Sequence, residues 1–197
     1  MNTIQSSPTK ALFDLLVKHS FQRGDFTLSS GKKSNYYMDG RMTTLSADGA
    51  KLVGEVLYDI VAPLGIQAVG GLTLGADPIV TAISWTSAHE GKPINGFLIR
   101  KETKGHGTGR QIEGHLHPKD RVVLVEDVIT TGESFVKAIE AVKAFSPDIE
   151  IVKLLALVDR NEGASERLLP YRIPVQALFP IDAFLQANIA ASSHPTH

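Results

Sequence analysis

Apolar runs of strand length alternate with helical patterns along most of the chain. The clearest run, Val122–Val125, has four consecutive apolar residues, three of them β-branched, and is typical of a strand buried on both faces of a parallel sheet. Similar runs begin near residues 68, 95 and 150, and residues 175–178 predict a last strand. The alternation predicts an α/β fold with a doubly wound, mostly parallel sheet.

Start and stop signals frame the helices at the two ends of the chain. Ser7 precedes Pro8, an order that suits an N-cap followed by the first helical position. Ser46 is a second candidate N-cap, and Pro63 ends the helix that follows it. Residues 180–190 predict a closing helix.

Residues 20–45 depart from this alternation. Two short β-like pieces, Phe26–Leu28 and Tyr36–Met38, are separated by the turn residues Ser29–Gly31. These pieces predict a small β appendage on the main domain. The length of 197 residues otherwise predicts a single domain over residues 1–197.

Composition excludes several classes of protein. A net charge of −1 gives no electrostatic reason to expect nonspecific nucleic-acid binding. The absence of cysteine excludes disulfides, cysteine nucleophiles and thiolate metal sites. No apolar stretch approaches the roughly 18 residues of a membrane span, and the polar N-terminus has no apolar signal-like segment behind it. We therefore expect a cytoplasmic protein with no membrane or nucleic-acid partner.

The most informative stretch is Arg121–Ser134, where the apolar run ends at Glu126 and Asp127 and a polar turn precedes a helix predicted to start at Phe135. Ligands of open α/β sheets bind at the carboxyl ends of strands, and a helix N-terminus with unpaired N–H groups binds anions. The two carboxylates would repel a phosphate, so they suit ribose hydroxyls or a divalent cation. The alternative is an ordinary strand–turn–helix with a polar cap.

Two further stretches have the composition of anion sites. Residues 68–78 run from a strand through glycines into a helix, although a simple βα turn would have the same pattern. Residues 100–110 hold four cations, one histidine and three glycines, with no apolar residue to anchor them. We expect a mobile loop that covers and releases a polyanion; a solvated surface loop is the alternative.

Four motifs resemble known phosphoribosyltransferases. Residues 126–134, EDVITTGES, are similar to the motif with which type I phosphoribosyltransferases hold phosphoribosyl pyrophosphate (PRPP). Phe26–Tyr36 resembles the F-T-L-x-S-G-x-K-S-x-Y hood of orotate phosphoribosyltransferases. Residues 100–107 resemble their catalytic loop, R-K-x-x-K-x-H-G, and Arg160 matches an arginine that pairs with the orotate carboxylate.

The resemblance covers about residues 20 to 165 and implies transfer of the phosphoribosyl group of PRPP to orotate. It implies that residues 20–45 form part of a hood over the base. The catalytic residues that it implies are Lys101, Lys104, His106 and Asp127.

Binding roles are implied by the same resemblance. Those for PRPP are Thr73, Arg100, Lys101, Lys104, His106, Glu126, Asp127, Val128, Ile129, Thr130, Thr131, Gly132, Glu133 and Ser134. Those for orotate are Tyr37, Met38, Thr130 and Arg160.

Cofactor and partners are also implied. The resemblance implies Mg²⁺ held mainly by substrate, and a homodimer in which the loop of residues 100–110 acts on the partner's site. Some family members have a lysine where this chain has Ser29, and Lys32 or Lys33 could compensate. The loop around Thr73 can include a cis peptide in this family. A purine phosphoribosyltransferase and a non-enzymatic PRPP-sensing regulator remain alternatives, against which the hood, Arg160 and the cationic loop argue.

Overall fold

The computed structural model describes residues 7–27, 31, 33–101 and 111–192. The strands are β1 (Phe21–Thr27), β2 (Lys33–Met38), β3 (Ala68–Leu72), β4 (Asn95–Ile99), β5 (Ile112–Gly114), β6 (Arg121–Ile129), β7 (Glu150–Asp159) and β8 (Val175–Pro180). The helices are α1 (Pro8–His19), α2 (Arg41–Thr44), α3 (Ala47–Val61), α4 (Ala76–His89), α5 (Glu133–Phe145), α6 (Ala164–Leu168) and α7 (Ile181–Ser192).

Six strands form the main sheet in the order β5-β4-β3-β6-β7-β8. Strands β4, β3, β6, β7 and β8 are parallel, and the short edge strand β5 is antiparallel to β4. The mostly parallel sheet predicted from the sequence is therefore confirmed, and all five predicted strands are present. Among the described residues, none of the helices is both long and apolar enough to cross a membrane.

Helices cover both faces of this sheet, as the continuous apolar strands require. Val123 and Val125 of β6 pack into a core with residues of α1, α3, α4 and α7. Their neighbours Val122 and Leu124 pack into a second core with residues of α5 and α6. Alternate residues of one strand therefore supply two cores, which fixes the sheet rigidly between the helix layers.

The predicted caps lie at the N-termini of α1 and α3. The Ser7 hydroxyl accepts a hydrogen bond from the Lys10 N–H at 3.3 Å. The Ser46 hydroxyl accepts one from the Gly49 N–H at 3.1 Å. Helix α3 ends at Val61, and Pro63 lies in the 3₁₀ turn that follows, as its fixed φ and missing N–H predict.

Strands β1 and β2 form a separate antiparallel hairpin, with Phe21 opposite Met38 and Thr27 opposite Lys33. Both strands are longer than the β-like pieces that the sequence indicates. Phe21 and Met38 are buried, so this end of the hairpin is attached to the core. The hairpin and α2 are the regular elements in the described part of residues 20–45.

Candidate active site

The candidate site lies where the strand order of the main sheet reverses. From β3 the chain adds β4 on one side, whereas from β6 it adds β7 on the other, so the carboxyl ends of β3 and β6 meet at a switch point. Crevices at such points bind ligands in open α/β sheets. Two adjoining cavities open here, of about 280 Å³ and about 450 Å³, and both are lined by Lys101, Glu126 and Thr130.

Strand β6 is longer than the sequence predicts. It continues through Glu126 and Asp127 to Ile129, because β7 runs beside it and pairs Ile129 with Asp159. The apolar run ends at Val125 but the strand does not, so the two acids lie on a strand held on its β7 side. This backbone positions their carboxylates more firmly than a turn would.

The two acids lie against the loop between β3 and α4. The Val128 N–H donates to Asp127 Oδ1 at 2.9 Å, and the Asp127 N–H donates to Glu126 Oε1 at 3.3 Å. A Cβ added at Gly75 would lie 2.5 Å from Glu126 Oε1 and 2.5 Å from Asp127 Oδ1. With both carboxylates in these positions there is no room for a side chain at residue 75, and the loop backbone and the two carboxylates lie in one wall.

Glu126 differs from Asp127 in its electrostatic environment. Its burial raises the pKa of the Glu126 carboxyl well above the usual value of 4.5, and the negative charge of Asp127 adds to the effect. An acid in such a place favours its protonated form. A protonated Glu126 carboxyl donates a hydrogen bond, whereas an ionised carboxylate only accepts one.

This raised pKa predicts a pH effect on stability. The folded protein binds a proton at Glu126 more tightly than the unfolded chain, so the free energy of unfolding falls as pH rises from about 4.5 through the folded pKa. Glu126→Gln should remove that loss. We expect the difference in melting temperature between pH 5 and pH 8 to be smaller in Glu126→Gln than in the wild type. Glu140→Gln, at an exposed position of α5, is the control, and identical differences in all three proteins would contradict the assignment.

The turn between β6 and α5 forms one wall of the larger cavity. Its residues that line this cavity are Thr130, Thr131, Gly132, Glu133 and Ser134. Gly132 has φ 79° and forms the N-cap, so α5 begins at Glu133 rather than at the predicted Phe135. A left-handed residue followed by the first N–H groups of a 13-residue helix makes an anion-binding concavity.

The loop between β3 and α4 supplies part of the wall of the smaller cavity. Thr73, Leu74 and Gly75 line it. The Thr73–Leu74 peptide is cis, as the resemblance implies. The Thr73 N–H donates to the Ile99 carbonyl at 2.9 Å, which ties this loop to the end of β4.

Arg160 follows β7 and lines the smaller cavity together with Tyr37 and Met38. Its side chain is only 8% exposed, and its Nη2 lies 2.8 Å from Glu162 Oε1. Its Nε donates to the Tyr36 hydroxyl at 3.3 Å. Sequence reasoning assigned no role to Glu162 or to Tyr36, although Tyr36 ends the hood motif.

A second arginine lines the same cavity and was also missed. Arg41 donates from Nε to Asp39 Oδ1 at 2.9 Å and from Nη2 to Asp39 Oδ2 at 2.8 Å. The Arg41 guanidinium lowers the pKa of the Asp39 carboxyl. The sequence signal for it is Asp39-Gly40-Arg41, which begins three residues after the end of the hood motif.

The cations that the sequence singles out differ in their positions: one lines the two cavities, two form contacts elsewhere, and the others lie outside the described residues. Lys101 lines both cavities, whereas Arg100 forms an ion pair with Glu113 at 3.1 Å and is absent from the described lining of either. Lys33 donates to Thr27 Oγ1 at 2.8 Å and lines a separate cavity on the hairpin rather than either cavity at the sheet, so its compensation for Ser29 stays a prediction. The predictions for Lys104, His106, Ser29 and Lys32 fall outside the described residues.

Known proteins are similar to this chain in both sequence and fold. Residues 94–182 match the family described as a phosphoribosyl transferase domain. The orotate phosphoribosyltransferase of Aquifex aeolicus is 44% identical over 174 residues, which cover 87% of this chain and 94% of the relative. That of Synechocystis sp. is 46% identical over 171 residues, covering 86% and 85%.

Solved structures agree with these relatives. The Mycobacterium tuberculosis orotate phosphoribosyltransferase in complex with Fe(III) dicitrate has a TM-score of 0.79 at 36% identity, covering 90% of this chain and 98% of that one. The same enzyme in complex with PRPP has a TM-score of 0.75 at 34% identity, with the same coverage of both chains. The fold class and the resemblance inferred from the motifs are thereby confirmed. This chain belongs to the orotate phosphoribosyltransferase family.

Proposed function

We propose that this chain transfers the 5-phosphoribosyl group of PRPP to orotate, giving orotidine 5′-monophosphate and pyrophosphate, a step of pyrimidine biosynthesis. The observation that carries the proposal is the shared crevice at the sheet's switch point. It holds an anion-binding turn, a pair of acids and a buried arginine on adjoining walls. These groups match the phosphate, the ribose hydroxyls and the base carboxylate of the two substrates.

The substrates are oriented by the order of these walls. The 5′-phosphate lies in the turn of residues 130–134, and the ribose hydroxyls face Glu126 and Asp127. The pyrophosphate extends toward Thr73 and Lys101. Orotate lies beneath the hairpin, with its carboxylate on the guanidinium of Arg160, an arrangement that suits the planar fork of an arginine.

The chemistry follows from the charges that develop. As pyrophosphate leaves the ribose C1, positive charge grows on the sugar ring and negative charge grows on the leaving group. Asp127 stabilises the positive charge on the sugar ring. Lys101, together with Lys104 and His106, stabilises the negative charge on the pyrophosphate. Lys101 or His106 donates a proton to the leaving pyrophosphate. Orotate N1 bonds to C1 as the bond from C1 to the pyrophosphate oxygen breaks, and N1 loses its proton to solvent, so the enzyme needs no nucleophilic side chain.

Magnesium fits the site as an ion held mainly by the substrate. No cluster of three or more His, Cys, Asp or Glu that could hold a metal occurs within residues 7–27, 31, 33–101 and 111–192. Mg²⁺ usually keeps several waters and binds substrate phosphates with few protein ligands. When bound, it would neutralise charge on the departing pyrophosphate.

We also propose a homodimer in which the loop of residues 100–110 reaches the partner's site. An apolar face beside the crevice supports the dimer: Leu45, Leu74 and Trp85 are 72%, 65% and 67% exposed. Its groove, of about 1180 Å³, shares Arg41 and Leu74 with the smaller substrate cavity, so a second copy covering it would lie next to the site. Exposed apolar surfaces of this kind mark protein interfaces.

A cytoplasmic location of the protein stays a prediction.

Arg160→Ala tests the base-binding end of the site. Loss of a charged hydrogen-bonding partner should raise the KM for orotate by roughly 10- to 100-fold, because about 1.5–3 kcal/mol is typical of such contacts. The KM for PRPP should change little. Separate titrations of the two substrates measure this, with Arg167→Ala, an exposed arginine of α6, as the matched control. Equal weakening of both substrates, or of PRPP alone, would place Arg160 outside the base site.

A comparison of bases separates the proposed function from its alternatives. We expect product formation with orotate and none with adenine or guanine. Preferred use of a purine would indicate a purine phosphoribosyltransferase. Binding of PRPP without any turnover would indicate a regulator.

A further inference from the structure

Arg160 is fixed by two neighbours that come from different parts of the chain. The Tyr36 hydroxyl accepts a hydrogen bond from its Nε, and the guanidinium carbon lies 4.9 Å from the centroid of the Tyr36 ring. The Glu162 carboxylate lies 2.8 Å from Nη2. A cation with 8% exposure needs such partners, because an unpaired buried charge is costly.

Tyr36 is itself anchored to the core. Its ring stacks on Phe21 with centroids 5.8 Å apart and an interplanar angle of 25°. Phe21 is 4% exposed and belongs to the core beneath α1 and α3. Phe21, Tyr36 and Arg160 therefore form a chain of contacts that fixes the plane of the guanidinium from below.

These contacts leave part of the guanidinium for a ligand. An arginine has five N–H donors; the Tyr36 hydroxyl accepts from the one on Nε, and the Glu162 carboxylate forms an ion pair with Nη2. The remaining donors lie on Nη1 and Nη2, and the described structure gives them no protein acceptor. Because Arg160 lines the cavity beside Tyr37 and Met38, these donors are available to a planar carboxylate in that cavity.

We propose that Tyr36 and Glu162 are positioning residues that fix the guanidinium of Arg160 for the carboxylate of the base and thereby set its specificity. This inference rests on the proposed role of Arg160 in binding orotate. The contact between Tyr36 and Arg160 also joins the hairpin to the end of β7, because Tyr36 is next to the β2 residues that line the cavity. The hairpin and the base-binding arginine are thus held in one fixed relation.

A double-mutant cycle tests the proposal. Tyr36→Ala should raise the KM for orotate roughly 10-fold and leave the KM for PRPP nearly unchanged, whereas in an Arg160→Ala background it should add less than about 2-fold, because residues that act through one contact are not additive. Tyr36→Phe retains the ring contacts but loses the acceptor of the Nε hydrogen bond, so its KM for orotate should lie between those of the wild type and Tyr36→Ala. Glu162→Gln should raise the KM for orotate up to about 5-fold, as the loss of one partly exposed ion pair predicts.

Uracil lacks the carboxylate of orotate. The preference for orotate over uracil is therefore a measurement that a purely structural defect would not change. Tyr36→Ala and Glu162→Gln should lower the preference for orotate over uracil, and Glu166→Gln, on the exposed side of α6, should not. Additive effects of Tyr36→Ala and Arg160→Ala, or an unchanged preference in Glu162→Gln, would overturn the proposal. A wild-type protein that consumes no orotate would instead overturn the proposed function together with this inference.

Discussion

Replacing Asp127 with asparagine is expected to lower kcat by roughly 100-fold or more, since one electrostatic stabiliser of a transition state is commonly worth that much. The substitution keeps the size of the side chain and removes its charge beside the ribose. Asparagine can still accept the Val128 N–H through its amide oxygen, so the local backbone should not change. Steady-state turnover at saturating PRPP and orotate measures the effect.

The melting temperature of Asp127→Asn provides the control for folding, and Asp148→Asn, at an exposed turn position, provides the matched loss of charge. Both variants should melt close to the wild type, and Asp148→Asn should retain full activity. Near wild-type turnover in Asp127→Asn would show that the acid pair serves only the local structure.

The second large effect is the recovery of activity from two inactive variants. If the loop of residues 100–110 acts on the partner's site, Lys101 and Asp127 of one chain serve different sites. A mixed dimer of Lys101→Ala and Asp127→Asn then has one intact site. With equal mixing and random exchange, half of the dimers are mixed, so activity should recover to about a quarter of the wild type on a two-fold dimer.

Lys101 lines the cavities of its own chain in the described structure, and that position alone would predict no recovery with Lys101→Ala. Mixing Lys104→Ala with Asp127→Asn in the same way tests the later part of the loop separately from Lys101. Recovery with Lys104→Ala alone would mean that Lys101 acts in its own subunit and that the loop beyond it acts in the partner. No recovery with either variant, despite subunit exchange shown by mass spectrometry, would contradict the proposed arrangement.

The sequence predicts the sheet and most of its helices because their signals are local. Four consecutive apolar residues at Val122–Val125 require burial on both faces, and Ser7 and Ser46 cap the helices that follow them. The acid pair and the turn after it were identified by residue type and order. The family resemblance then supplied the substrate, which the physical pattern alone left open.

The remaining features depend on contacts between distant residues. Strand β6 continues to Ile129 because β7 pairs with it, and no local preference of Glu126 or Asp127 indicates this. The contact between Tyr36 and Arg160 joins residues 124 positions apart. Lys33 is a cation of the right type close to the hood motif, yet hairpin pairing directs it to Thr27 and away from the described site.

The most direct test of the central claim is a spectrophotometric assay of orotate consumption by the purified protein with PRPP and magnesium. We predict a steady loss of orotate absorbance that requires PRPP, stops when a chelator removes the metal, and is nearly absent in Asp127→Asn. Unchanged orotate absorbance with a folded wild-type protein that binds PRPP would contradict the claim.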